Sequence, residues 1–288
     1  MKIGIVGLGL IGASMAKALS GAGHTVLGFD TDLDVIKRAS LTEAIADTLT
    51  DENVKSVDML IISVYPDDTV KYLSVYAPSL KDGAVLCDLC GIKREIVAKM
   101  KSLKAQYPAV EFIGLHPMAG KEYSGFKYSS PLLFENASLL AVPVDMPLEV
   151  LAKVKQTMLG VGFKGMVITG ADEHDKIISY TSQLAHIVSS SYVQNEMAKS
   201  IYGFTAGSFR DMTRVARLNP VMWAQLLMKN RDMLSLELAD LIGHLTEFKE
   251  ALDTHNDKKL YEKLAKGNEI KCEIEKDRAK KTKESYDN

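Results

Sequence analysis

Lys2-Ile3-Gly4-Ile5-Val6-Gly7-Leu8-Gly9-Leu10-Ile11-Gly12 decides the fold. Lys2 to Val6 alternates as a short apolar strand, and the run from Leu10 to Ser20 has helical spacing with small residues on one side. The three glycines between them form G-x-G-x-x-G in the context that motif needs, a strand running through a tight turn into a helix. Gly7 permits the turn, Gly9 lets a pyrophosphate approach the backbone, and Gly12 lets helix and strand pack closely. Free N–H groups at the helix start supply positive potential for the phosphates. The whole hexapeptide Gly7, Leu8, Gly9, Leu10, Ile11 and Gly12 is therefore expected at the cofactor. A second strand, Thr25 to Phe29, ends at Asp30. A carboxylate there accepts from a ribose diol and repels a 2′-phosphate, so the expected cofactor is NAD rather than NADP.

Outward from this unit the first half keeps alternating. A helix is expected over Leu33 to Arg38, a strand over Met59 to Val64, a helix opened by Pro66-Asp67-Asp68, and a strand over Ala84 to Asp88. Lys93 to Gln106 reads as helix and Phe112 to Leu115 as strand. Ala137 to Val142 and Lys164 to Ile168 read as the last two strands, with a helix from Pro147 to Met158 between them. The fold class is α/β, a Rossmann-like, mostly parallel sheet covered on both faces. After Ile168 the strand signals stop, and the domains are expected at 1–169 and 170–288, the second all-helical.

In that second half, from Ile177 to Met197, the residues Ile177, Thr181, Leu184 and Val188 recur at helical spacing as an apolar stripe. Opposite it Ser179, Ser182, Gln183, His186, Ser189 and Ser190 form a polar stripe without a full charge, which suits a wetted cleft or a subunit contact. Further helices are expected over Ser208 to Leu218, Pro220 to Ile242, and from His244 onward, with a solvated, frayed helix end from Lys271.

At 288 residues, with 47% hydrophobic and 25% charged residues, the composition is that of an ordinary globular chain. A formal charge of -2 calls for no nucleic-acid or membrane partner. The three cysteines are too few for a disulfide framework, and a reduced, cytoplasmic setting fits them. Cys87 and Cys90 form a CxxC without a second pair, so they read as small apolar residues rather than a metal site.

Chemistry concentrates in Gly114-Leu115-His116-Pro117-Met118-Ala119-Gly120-Lys121-Glu122-Tyr123-Ser124-Gly125-Phe126, expected to be a loop because Pro117 lacks an N–H and the glycines are costly to order. His116 falls at the C-terminal mouth of a strand, where open α/β sheets bind ligands. From the residues alone it is either a loop histidine in water or a proton acceptor. Arg210, Arg214 and Arg217 fall on one face of an expected helix, beside Asp211. That face is either simply solvated or a clamp for carboxylates. Asn219-Pro220-Val221-Met222-Trp223 opens the next helix with the only tryptophan, a core residue or a wall for a ring-shaped substrate.

Taken together, Gly114-Leu115-His116-Pro117-Met118-Ala119-Gly120 with Glu122 and Gly125, Phe209-Arg210-Asp211-Met212-Thr213-Arg214, and Asn219-Pro220-Val221-Met222-Trp223, behind the glycine fingerprint, resemble the prephenate/arogenate dehydrogenase family of tyrosine biosynthesis. The resemblance covers almost the whole chain. It implies a Rossmann-like domain, a helical domain that forms a homodimer, and NAD(P)-dependent oxidative decarboxylation of a cyclohexadienol acid. By position it implies that His116 draws the proton of the ring 4-hydroxyl and that Arg214 binds a substrate carboxylate. Glu122, His186, Asp211 and Trp223 match positions that line or gate the family's pocket. Neither a regulatory domain nor a mutase segment is expected.

Two positions depart from the family pattern. The serine of Asp-x-Gly-Ser-x-Lys is Gly91 in Asp88-Leu89-Cys90-Gly91-Ile92-Lys93, and Ser-His-Leu-Pro-His is Ser182-Gln183-Leu184-Ala185-His186. The resemblance, with the fingerprint, Asp30, His116 and Arg214, implies an NAD-linked prephenate dehydrogenase; arogenate dehydrogenase is the nearest alternative, and no residue decides between the two substrates. A non-catalytic NAD-binding sensor is the alternative from another class.

Overall fold

The computed structural model describes residues 1–284. The chain alternates as expected: β1 (Lys2–Val6), α1 (Leu10–Gly21), β2 (Thr25–Phe29), α2 (Leu33–Leu41), a two-residue β3 (Asp47–Thr48), β4 (Met59–Ile62), α3 (Pro66–Tyr76), β5 (Val85–Asp88), α4 (Arg94–Gln106), β6 (Glu111–Pro117), β7 (Ser138–Val144), α5 (Leu148–Leu159) and β8 (Gly165–Ile168). These strands form one sheet in the order β3-β2-β1-β4-β5-β6-β7-β8. Pairing is parallel from β3 across to β6, antiparallel between β6 and β7, and parallel again between β7 and β8. Side chains alternate across the sheet. Ile3 and Ile5 of β1 join Met15 and Leu19 of α1 in one core, while Leu60 and Ile62 of β4 join Leu73 of α3 and Met100 of α4 in the other.

The sheet departs from expectation in two places. The two-residue β3 carries no periodic signal of its own and forms because Leu27 and Gly28 pair with Asp47 and Thr48. More important for the site, β6 runs through His116 and Pro117, which had been placed in a loop. The reason is β7, which pairs His116 with Leu140 and Pro117 with Leu139. The Met118 N–H bonds the Ser138 carbonyl at 2.9 Å. By strand alternation, Pro117 then turns its nitrogen toward the β5 side, where pairing has already ended at Gly114. The proline costs no ladder bond there.

Beyond β8 the chain is helical: α6 (Ala171–Ile178), a π-helical stretch (Ser179–Leu184), α7 (Ala185–Tyr192), α8 (Gly207–Thr213), α9 (Pro220–Lys229), α10 (Arg231–Asp253) and α11 (Asp257–Glu284). The expected separation of an apolar from a polar stripe is corrected here. Ile177 is 49% exposed and Thr181 is exposed, while Leu184 is buried together with Ser179, Gln183 and Ser189, and Ser182, Gln183 and His186 line the cleft at the strand ends, as suits a wetted stripe. Polar partners explain why Gln183 is inside: its Oε1 accepts from Asn230 Nδ2 at 2.8 Å, and Asn230 Nδ2 also bonds the Asp175 carbonyl. The arginine face is corrected as well. α8 stops at Thr213, a 3₁₀ turn carries Arg214–Ala216, and Arg217 is extended at φ -82, ψ 97. Arg210, Arg214 and Arg217 therefore share no helix face.

The expected Pro220 to Ile242 helix breaks at Asn230, whose buried side chain is held by Arg94, Asp175 and Gln183. No break occurs at Gly243, where one glycine costs only about 1 kcal/mol in a long helix. The chain divides into two compact units, Met1–Leu234 and the segment from Ser235. Within the second, α10 turns into α11 through His255, at φ +47, and Lys259 pairs with Glu250 at 3.0 Å. The run after Lys271, expected to be frayed, continues as helix to Glu284.

Candidate active site

At the C-terminal ends of β1, β4, β5 and β6 lies a cleft of about 680 Å³. β1 and β4 diverge there to their following helices on opposite faces, the switch point at which open sheets bind ligands. The turns after these strands supply Gly9 to Ile11, Ser63 to Pro66, Leu89 to Gly91, and His116. Across from them the helical segments bring Gln183, His186, Arg214, Arg217 and Trp223, all within the first compact unit.

On the nucleotide side, the hexapeptide divides by role. Gly7 sits at φ +90, and a Cβ there would meet the Ser63 carbonyl oxygen at 2.4 Å. A Cβ at Gly12 would lie 1.9 Å from the Gly7 oxygen, so helix and turn touch through backbone alone. At Gly9 nothing lies within 4 Å, which leaves the approach to the backbone open. α1 starts with no side-chain cap and no acid in its first turn, so its N–H groups are free for an anion. Leu8 contributes backbone only, since its side chain is fully buried in the core. Asp30 is tied to this turn: its oxygens accept from the Leu8 N–H at 2.7 Å and the Asp32 N–H at 3.0 Å. These features fit a dinucleotide with a free ribose diol.

His116 is held from behind. Its Nδ1 lies 2.9 Å from Nε2 of His174, and Nδ1 of His174 lies 2.7 Å from Oδ1 of Asp175. Asp175 in turn accepts the backbone N–H groups of Lys93 and Arg94 at 2.7 and 2.9 Å. Burial holds the His116 imidazole well below its ordinary pKa, helped by the Lys93 cation and by His174. The ring is therefore neutral near pH 7 and able to accept a proton. Burial opposes ionisation of Asp175, yet its bond from His174 and the two backbone N–H groups outweigh it and hold its pKa low.

Beneath this lies a fully buried pair. Lys93 Nζ donates to Asp88 Oδ2 at 2.6 Å and to the carbonyls of Cys90 and Ile92 at 2.8 and 3.1 Å. Burial pushes the Asp88 carboxyl upward against the pull of Lys93, and its Oδ1 has no partner among the described residues. Cys87 and Cys90 are buried free thiols, and burial pushes Cys90 up to about 12, which removes any thiolate chemistry. At Gly91, an added Cβ would sit 3.5 Å from Leu226 and 3.7 Å from Nε2 of His116. That nitrogen therefore faces the position where the family carries its serine.

The helical side is looser. Arg214 Nη1 bonds Glu122 Oε1 at 2.6 Å, with the two side chains 63% and 32% exposed. Arg217 lies over the Tyr123 ring at 5.0 Å. His186 bonds the Val215 carbonyl through Nδ1 at 3.0 Å and packs on Trp223 with ring centroids 4.0 Å apart. Desolvation lowers the His186 pKa, against the Val215 bond, so it too is neutral. Asn219 caps α9 through Met222 and also bonds the Tyr65 hydroxyl at 3.1 Å. The cleft thus gathers His116, Glu122, His186, Arg214 and Trp223, but not Asp211, which stands exposed on α8. Sequence reading passed over His174 and Asp175. They sit in a charged run, Ala171-Asp172-Glu173-His174-Asp175-Lys176, that looks like a solvated helix start. The one signal was a histidine directly followed by an acid.

A Rossmann-type sheet, an open glycine turn and a neutral imidazole across from arginines define a nucleotide-dependent oxidoreductase. Residues 15–168 match the family model for the nucleotide-binding domain of prephenate dehydrogenase, and residues 170–266 match the model for its dimerization domain. The chain belongs to the prephenate dehydrogenase family. It is 32% identical over 254 residues to prephenate dehydrogenase of Lactococcus lactis subsp. cremoris, covering 85% of this chain and 70% of that one. With cyclohexadienyl dehydrogenase of Zymomonas mobilis it shares 26% identity over 287 residues, 96% of each chain. The crystal structure of prephenate dehydrogenase from A. aeolicus in complex with hydroxyphenyl propionate and NAD+ superposes with a TM-score of 0.81 at 24% identity, covering 95% of this chain and 98% of that one. Among the described residues no helix is long and apolar enough to cross a membrane.

Proposed function

We propose that the chain catalyses NAD-dependent oxidative decarboxylation of prephenate to 4-hydroxyphenylpyruvate, acting in the cytoplasm as a homodimer built on its helical half. In this reading residues 1–169 hold the dinucleotide and 170–288 supply substrate contacts and the dimer interface. The observation that carries it is the meeting of His116, Arg214 and the open turn at Gly9 in one cleft. Bound NAD would accept the hydride from C4 of the ring.

The residues divide the remaining work. The uncapped N–H groups of α1 and the backbone of Gly9, Leu10 and Ile11 would hold the pyrophosphate, while Asp30 would accept from the ribose diol. Nε2 of His116 takes the proton of the 4-hydroxyl as that carbon is oxidised. It returns the proton to the ring oxygen once loss of carbon dioxide makes the ring aromatic, so no net proton is consumed. Arg214 leaves Glu122 to bind a substrate carboxylate, and His186 and Trp223 wall the ring. Where the family's serine would assist at the hydroxyl, Gly91 offers only backbone and space for water.

The Zymomonas mobilis relative favours a second reading in which arogenate is also a substrate, giving tyrosine directly. The test is NADH formation with prephenate and, separately, with arogenate. Activity on prephenate is expected; turnover of arogenate alone would reverse the assignment, and turnover of neither would leave a nucleotide-binding protein.

A further inference from the structure

The proton acceptor at the cleft is one end of a buried chain, and the far end determines which of its nitrogens can act. Asp175 is 1% exposed and His174 is 1% exposed, so water does not compete for the bonds between them. Both oxygens of Asp175 receive backbone N–H donors from the start of α4, which anchors the carboxylate to the sheet half. An ionised carboxylate only accepts, so Nδ1 of His174 carries the hydrogen of their 2.7 Å bond. A neutral His174 then presents a bare Nε2 to Nδ1 of His116 at 2.9 Å. That bond needs one hydrogen, and His116 must supply it. His116 is left with hydrogen on Nδ1 and a lone pair on Nε2, the nitrogen facing Gly91 and the cleft.

We propose that His174 and Asp175 are positioning residues that lock His116 in the Nδ1–H tautomer and spread the charge it acquires when Nε2 takes a proton. This rests on the reading of His116 as the proton acceptor. When that proton arrives, His116 holds hydrogens on both nitrogens. The Nδ1 proton can move to Nε2 of His174, giving an imidazolium whose Nδ1–H faces the Asp175 carboxylate. Reversal of both shifts returns the proton to the ring oxygen, with no group consumed. The other charged groups nearby are the Lys93 and Asp88 pair under the strand end and Arg94, whose two Nη atoms are held by Asp232 while its Nε lies 3.4 Å from Asp175 Oδ2 and favours that carboxylate as an anion. Lys93 disfavours a cation on His116, which makes a route for that charge toward Asp175 the more useful.

The test compares His174→Phe, which removes both bonds, with His174→Gln, whose amide oxygen can still accept from Nδ1 of His116. In the full-length chain, His174→Phe is expected to lower kcat about 10- to 1,000-fold. The affinity for NAD and the KM for prephenate should stay within about threefold, because neither ligand contacts the buried pair. His174→Gln should recover at least a tenth of the wild-type kcat. A folded His174→Phe enzyme with unchanged kcat, or a Gln variant no better than Phe, overturns the proposal.

Should the variants fail to fold, the nitrogen-15 spectrum of the histidine-labelled wild-type protein at pH 8 decides the matter, with the His116 signals assigned by their loss in His116→Asn. Hydrogen on Nδ1 and a bare Nε2 are expected; hydrogen on Nε2 overturns the tautomer lock. That spectrum needs no turnover, so absence of activity on prephenate and arogenate would remove the catalytic reading while leaving the tautomer decided separately.

Discussion

The two walls of the cleft are built on opposite principles. On the sheet wall each functional side chain is backed by buried partners: His116 by His174 and Asp175, the strand end by the Lys93–Asp88 pair, Asp30 by two backbone N–H groups. On the helical wall Arg214 is 63% exposed on a single 3₁₀ turn, and its one ion pair among the described residues is with the partly exposed loop residue Glu122. Buried, fully bonded groups are costly to displace, whereas an exposed pair is worth at most about 1 kcal/mol and exchanges partners easily. In the proposed reaction the chemistry would thus sit on the rigid wall and recognition on the wall that can let a substrate in.

Mutations on the two walls should separate accordingly. Replacing His116 with Asn is expected to cut kcat by about 10²–10⁴ with NAD affinity nearly unchanged, as read by steady-state kinetics and NAD titration; normal turnover would take the imidazole out of the mechanism. Lys93→Met leaves a buried carboxylate without its cation, so thermal denaturation should show a loss of about 3–5 kcal/mol. An unshifted Tm would mean that water reaches the pair. On the helical wall, Arg214→Ala should act chiefly on KM for prephenate, raising it about 10- to 150-fold with the fold intact. A pure kcat effect there would erase the contrast between the walls.

The pH profile sharpens the same contrast. Because the folded pKa of His116 lies below the free value of 6.5, the base form is fully present above pH 6.5 and the acid limb of kcat/KM should fall below it. The stability tied to keeping this ring neutral has the same sign: it is complete above pH 6.5 and is lost as pH falls through the folded pKa. A limb above pH 7 would assign the profile to another group. The smallest effect is expected from Gly91→Ser. The added Cβ makes only ordinary contacts with Leu226 and His116, and a hydroxyl beside Nε2 should raise kcat/KM about 2- to 12-fold. No gain would indicate that backbone or water already serves the substrate oxygen.

Much of this architecture is legible in the residues. Period-2 and period-3.6 patterns located the helices and all but one of the strands in the first half, because those elements bury one face against a common sheet. The glycine turn and Asp30 were readable because each glycine answers a local demand, a positive φ at Gly7 and zero clearance at Gly12. His116 and Arg214 were singled out by their motifs, whose spacing is a local property. The helical half was less legible. Its buried surface mixes polar Ser179, Gln183 and Ser189 with apolar Ile178 and Leu184, so helical spacing alone does not separate an inner from an outer stripe there. Asp211 shared its motif with Arg214, yet the helix end at Thr213 parts them.

By itself, then, the sequence determined a dinucleotide turn on a mostly parallel sheet and a helical second half, and it singled out the residues proposed for proton transfer and carboxylate binding. All of these follow from short-range constraints on backbone shape and periodic burial. Only the tertiary structure decided that β7 would draw His116 into a strand and that Asn230 would break a helix to satisfy Gln183 and Arg94. It also brought residues 58 positions apart, His116 and His174, together through one hydrogen bond. Those outcomes depend on which buried polar groups find partners across the chain, and no local pattern records a partner that distant.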